Sequence, residues 1–173
     1  MSNIDDFNIV VGLIFSKLYE EFPIPCWIGQ VEHVEVLNQG KLTREQLLKL
    51  DEQRAPGMEP LYRSHAEEEM MAIAEHGFAI HSGAMEWLIA EGFIRAVVIN
   101  DGTYSNCVLA LKGLEALSLT PDAVRQSKTI GDQVVENVKS GSLDAVKDLA
   151  KRAVSYGLAL SAQAVVRSAL GTP

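Results

Sequence analysis

A chain of 173 residues with 47% hydrophobic and 22% charged side chains can bury about 70% of its unfolded surface around one core, so it needs no disulfide or metal staple to fold. The formal charge of −8 is uneven: residues 1–60 hold 5 Lys/Arg against 10 Asp/Glu, residues 61–120 hold 3 against 8, and residues 121–173 hold 7 against 5. Surplus carboxylates repel the phosphate backbone at long range, which disfavours nucleic-acid binding by the first two segments unless folding gathers a basic patch.

The acidic opening MSNIDDFNIV is unlike the basic start of a signal peptide, and no apolar run approaches the roughly 20 residues of a membrane span. A cytoplasmic protein is expected. Cys26 and Cys107 lie far apart and outside any C-x-x-C pattern, so they are expected as two reduced thiols rather than a disulfide.

In chain order, Phe7, Val10, Val11, Ile14 and Leu18 recur at helical spacing, with Asp5 and Asp6 at the positive N-terminal end, and predict a helix over 5–21. Pro23 and Pro25 end it. VEHVEVLNQG over 31–40 alternates apolar and polar residues and predicts a short strand. Thr43 and Gln46 have capping-box spacing and open a helix to about residue 53, and RAPGMEP is a loop. Residues 64–76 read as a helix closed by Gly77, and Ser82 opens a second helix that stops at Gly92. These two helices and the turn between them form a predicted helix-turn-helix. FIRAVVI and CVLAL flank the turn NDGTYSN and predict a β-hairpin. Thr120 and Pro121 mark a new helix start, a short helix carries Val134, Val135 and Val138, and a last helix runs over 143–170.

WLIAEGFIR, leading into the hairpin, and VLALKGLEAL, leading out of it, resemble the winged helix-turn-helix family, whose exit pattern is V-L-T-x-K-G-x-x-x-L. Lys112, Gly113 and Leu117 match, and Ala110 stands in place of the threonine that would cap the next helix. That departure removes about 1 kcal/mol of local support. The resemblance covers roughly residues 6–119 and implies an α+β, mainly α fold: a winged-helix domain over 1–119 with an insertion at 22–64, followed by a C-terminal helical region over 120–173.

A winged helix implies a reading helix and a wing. With Ala84, Trp87 and Leu88 turned inward, the opposite face presents Ser82, Met85, Glu86 and Ile89. None is an Arg, Lys, Asn or Gln of the kind that reads base edges. That face suits a protein partner, or else Met85 and Ile89 are covered by the insertion. Arg95 and Tyr104 are the candidate wing contacts to phosphate. Lys147, Lys151 and Arg152 form a basic cluster, read as a solvated face. On the last helix Ala150, Ala153, Gly157, Leu160, Ser161 and Ala164 form a small-residue seam that admits a close helix, from the same chain or from a second copy. A membrane-surface role is disfavoured by its few, terminal cations.

Catalytic patterns are missing: no G-x-x-x-x-G-K, no G-x-S-x-G and no H-E-x-x-H. His33, His65, His76 and His81 lack metal-ligand spacing, with His76 and His81 expected as partly exposed residues about the helix-turn-helix turn. No cofactor or metal is expected. The sequence therefore predicts a non-enzymatic, homo-oligomeric winged-helix protein that acts through protein association, with a DNA-binding transcriptional regulator as the alternative.

Overall fold

The computed structural model describes residues 2–53, 64–100, 103–119 and 128–169, with the side chains of Asn100 and of residues 164–169 outside the description. The fold is α+β and mainly helical. Helix α1 spans Asn3–Glu21 and is followed by strand β1 (Cys26–Gly29) and helices α2 (Gln30–Leu37), α3 (Arg44–Gln53) and α4 (His65–Ala90). The hairpin β2 (Ile94–Asn100) and β3 (Thr103–Leu109) comes next, then α5 (Leu111–Leu117), α6 (Ile130–Ser140) and α7 (Leu143–Ala169). The antiparallel sheet has the order β1-β3-β2, so both β1 and β2 are edges. No helix among the described residues is long and apolar enough to cross a membrane.

Helix α1 is the axis. Its run from Asn8 to Ser16 is buried without interruption, as expected of a helix that is apolar all round. It packs on α2, α4, α6, α7 and the sheet. Gly12 explains how α7 comes so close: a Cβ there would overlap Val146 Cγ1 and lie 3.2 Å from the Val146 carbonyl. Ser2 caps α1 through the Asp5 amide.

Two cores result. The larger joins α1, the C-terminal half of α4, the sheet, α5, α6 and α7. The smaller is built from Val31, Val34, Leu42, Leu47, Leu50, Met71, Ala74 and Phe78, so residues 31–50 of the predicted insertion form a second core against the N-terminal half of α4. Helices α6 and α7 share the larger core with α1 through Ile130, Val134, Leu149, Ala150 and Ala153. Residues 128–163 are accordingly part of one packed body with the predicted domain, not an appended region.

Three elements differ from the sequence reading. Of residues 31–40, those to Leu37 belong to helix α2 and the last three to the turn after it, rather than to a strand, because Gln30, Val31, His33, Val34 and Asn38 are buried at a spacing that also satisfies the 3.6 period. Strand β1 takes the sheet edge, in a segment read only as a helix stop. Most consequential, α4 runs unbroken for 26 residues, so the predicted helix-turn-helix turn at 77–81 does not exist. Gly77 ends nothing: a Cβ there would meet Val34 Cγ1 at 2.7 Å, so this glycine lets α2 cross α4 closely. The signals that do bound α4 are the Ser64/Glu67 capping box at its start and Gly92 at φ +73° after its end. Phe93 donates its amide to the Leu88 carbonyl at 2.9 Å beyond that glycine.

The family-like motif residues have structural work at the hairpin exit. Lys112 Nζ donates to the Glu91 carbonyl at 2.8 Å and sits 4.4 Å from the Phe93 ring centroid. Gly113 leaves room for the Phe93 carbonyl, and Leu117 is fully buried. Ala110 occupies the N-cap of α5 in extended backbone with no side-chain hydrogen bond.

Two outcomes follow from this packing. Ala110→Thr supplies the missing cap and should raise stability by about 1 kcal/mol, read as a Tm higher by roughly 2–4 °C. Gly157→Ala should lower Tm, because overpacking of this kind costs about 1–3 kcal/mol where the new methyl meets Phe93. The loss should be the same at every protein concentration in a dilution series, since the contact lies within one chain.

Candidate functional site

The hairpin and the outward face of α4 are where the fold leaves chemistry exposed. On α4 the exposed positions after residue 70 are Ala72, Glu75, His76, Ala79, Gly83, Glu86 and Ala90, and residues 65–69 are exposed as well. Of the predicted interaction face, Glu86 is exposed, Ser82 and Ile89 are half-buried, and Met85 is fully buried in the larger core. Met85 is thereby removed from any docking surface. The cause is the rotation of α4, which turns Ala84, Met85 and Leu88 inward together while Trp87 packs at the rim against Phe7 and Phe93.

The wing residues separate in the same way. Arg95 is exposed on β2. Tyr104 is only 3% exposed and its ring lies 6.0 Å from that of His81, so it is a core residue and not a phosphate contact. Tyr104 lies opposite Ile28 on one side and Val98 on the other, and β3, as the central strand, turns Tyr104, Cys107 and Leu109 inward. Asn106 at φ +51° marks the bulge between these inward positions.

Beside Arg95 and Asn106, the exposed part of the hairpin is apolar. Val97, Val98 and Ile99 are 53%, 62% and 48% exposed, and Trp27 on the opposite edge strand is 60% exposed. No charged residue interrupts the run from Ala96 to Ile99.

Most of the described cations elsewhere are held within the chain. Lys147 reaches Asp144 at 3.1 Å and Asp5 at 3.6 Å, and Lys151 also reaches Asp5 at 3.6 Å. The Ser2 hydroxyl, and then these two lysines, hold the Asp5 carboxyl below its ordinary range. Lys17, Arg44, Lys112, Lys128 and Lys139 each pair with a glutamate. Lys41, Arg95 and Arg152 make no such pair among the described residues.

The predicted seam on α7 is largely consumed by the chain itself. Ala150, Ala153 and Gly157 are buried against α1, α5 and Phe93, so these three cannot also receive a second copy. Leu160 is half-buried and Ser161 exposed; the side chain of Ala164 lies outside the described residues.

A buried histidine pair was missed in the sequence. His33 on α2 and His81 on α4 place their Nδ1 atoms 2.8 Å apart, with 4% and 0% exposure. His81 is thus a core residue, not a partly exposed turn residue. One ring nitrogen must donate and the other accept, so at least the accepting ring is neutral. Burial first, then the His81 and Lys17 charges, push the His33 pKa well below its usual value. His76 instead sits at the surface, with Nε2 3.0 Å from Asp6 Oδ2. Those two residues, with Lys41 and Asn38, line a cleft of about 360 Å³ beside α2. Among the described residues no cluster of three His, Cys, Asp or Glu is placed to hold a metal ion.

No family model, curated protein or solved structure matches the chain.

The histidine pair generates a pH dependence. A lowered native pKa means that below about pH 6.5 the unfolded chain takes up a proton that the native chain refuses, so stability falls with acidification by up to about 1.4 kcal/mol per pH unit for one such group. Thermal unfolding followed by circular dichroism should show Tm dropping from about pH 6.5 towards pH 5, and His33→Gln should flatten that slope.

Proposed function

We propose that this chain is a non-enzymatic, winged-helix-like association protein that binds another polypeptide along the free edge of its hairpin. Support for the winged-helix reading comes from the three-helix group α1, α2 and α4, the hairpin directly after α4, and the Lys112–Gly113 exit into α5. The unbroken α4 and the added α3 depart from the helix-turn-helix pattern, and they bear on the part of the scaffold that would read DNA.

The observation that carries the function is the β2 edge. It is a solvent-facing edge strand bearing Val97, Val98 and Ile99 exposed in succession, with Arg95 as its one charge and no lysine or proline to blunt the exposed run. An added strand would gain main-chain hydrogen bonds there, and apolar side chains would gain cover. A second copy is the partner the geometry favours, because two β2 strands pair antiparallel with themselves about a two-fold axis. This moves the association surface from the predicted seam on α7 to the hairpin. The DNA-binding alternative is left with Arg95 at the hairpin, beside an α4 face that offers Glu75 and Glu86.

Sedimentation velocity and a gel-shift salt series separate the readings. Wild-type protein should self-associate, and Val98→Lys should weaken that association roughly tenfold, equivalent to about 1.4 kcal/mol, without lowering helical content. Mixed DNA duplexes should not be retarded at low salt. Retardation that falls steeply with salt would establish the regulator instead, and a wild-type monomer at all concentrations would refute the edge pairing.

A further inference from the structure

The sheet brings together two side chains that stand 81 positions apart in the sequence. Cys26 on β1 and Cys107 on β3 are direct register partners in the antiparallel ladder. Directly opposed residues in such a pair place their side chains on one face with Cα atoms about 4.5–5.5 Å apart, inside the roughly 4.4–6.8 Å range that a disulfide spans. Both are free thiols here. Cys107 is fully buried and Cys26 is half-buried at the edge strand.

We propose that Cys26 and Cys107 form a reversible cross-strand disulfide, making this position a thiol-modification site that ties edge strand β1 to the centre of the sheet. The oxidant is a low-molecular-weight disulfide. The half-buried Cys26 thiolate attacks one of its sulfurs, forming a mixed disulfide and expelling one small thiolate. The Cys107 thiolate then attacks Cys26 Sγ, closing the protein disulfide and expelling the second small thiolate. The protein gives up two electrons and its two thiol protons, and the reagent becomes two thiols.

Burial pushes the Cys26 thiol upward, and burial together with the neighbouring Cys26 pushes Cys107 up to about 11. Little of either is thiolate near neutrality, so oxidation is slow, and the pair is set apart by proximity rather than by reactivity. The entry order follows from access: Cys26 meets the reagent and Cys107 resolves it. The bond would close a long loop containing α2, α3, α4 and β2, a case in which restricting the unfolded chain is most effective.

The test equilibrates the full chain in glutathione buffers of graded poise, quenches by alkylation, and reads intact mass and linked peptides. The expected oxidised product is a monomer lighter by two hydrogens, carrying no glutathione, with its Cys26 and Cys107 peptides joined and a Tm higher by roughly 10 °C. Dithiothreitol should reverse the shift. Cys26→Ser should leave Cys107 unmodified, whereas Cys107→Ser should accumulate glutathione on Cys26. Two alkylatable thiols under oxidising poise, stable mixed disulfides on wild type, or a linkage formed only in denaturing guanidinium chloride would overturn the proposal, as would a Tm lowered by the bond. These readouts are independent of self-association through β2.

Discussion

Everything in this fold depends on burying one helix from all sides. The run Val10-Val11-Gly12-Leu13-Ile14-Phe15 leaves no apolar stripe and no polar back, so α1 cannot rest on a single neighbour. It must be enclosed, and α2, α4, α6, α7 and the sheet enclose it. Gly12 is the condition for that enclosure, since α7 lies where a side chain would otherwise stand. The charged groups of α1 are consigned to its ends and borders, where Asp5 meets Lys147 and Lys151, Asp6 meets His76, Lys17 meets Glu32, and Glu20 meets Lys139. This explains why the C-terminal helices belong to the same body as the N-terminal ones.

The second constraint is the length of α4. A helix of 26 residues extends about 39 Å at 1.5 Å per residue, longer than one small core needs, and each half finds its own. Phe78 and Ala74 face the smaller core, while Ala84, Met85 and Leu88 face the larger. His81 lies at the changeover and reaches His33 across the α2 crossing. Because the second core grips α4 before the first ends, no turn is needed between residues 77 and 81. A side chain that sequence reasoning would aim at a partner, Met85, is claimed by the interior instead.

What could be read in advance follows the same physics. The hairpin, α6 and α7 were legible because their signals are local: two apolar runs about Asp101-Gly102, the valines at 134, 135 and 138, and Gly141, which takes left-handed backbone between the two helices. Gly77 misled because a glycine can serve either a chain end or a close crossing, and only the position of Val34 decides which. VEHVEV misled because so short a string fits both periods. Tyr104, His33 with His81, and Cys26 with Cys107 were out of reach for a common reason: each gains its meaning from a strand or helix tens of residues away.

Charge bears on how a partner can approach, not on how tightly the chain is folded. Exposed ion pairs such as Lys128 with Glu136 or Lys49 with Glu45 contribute little to stability. Their larger effect is to cancel cations locally, leaving the surplus carboxylates to set the long-range field. A polyanion drawn towards α4 meets Glu75 and Glu86 on its open face, and the lysines of α7 are already shared with Asp5 and Asp144. At the hairpin, by contrast, the run from Ala96 to Ile99 carries no charge to repel or to be desolvated. An acidic protein can therefore accept an equally acidic partner there, because main-chain pairing and apolar cover act at contact distance, while the repulsion between the two bodies is screened over about 8 Å at physiological ionic strength.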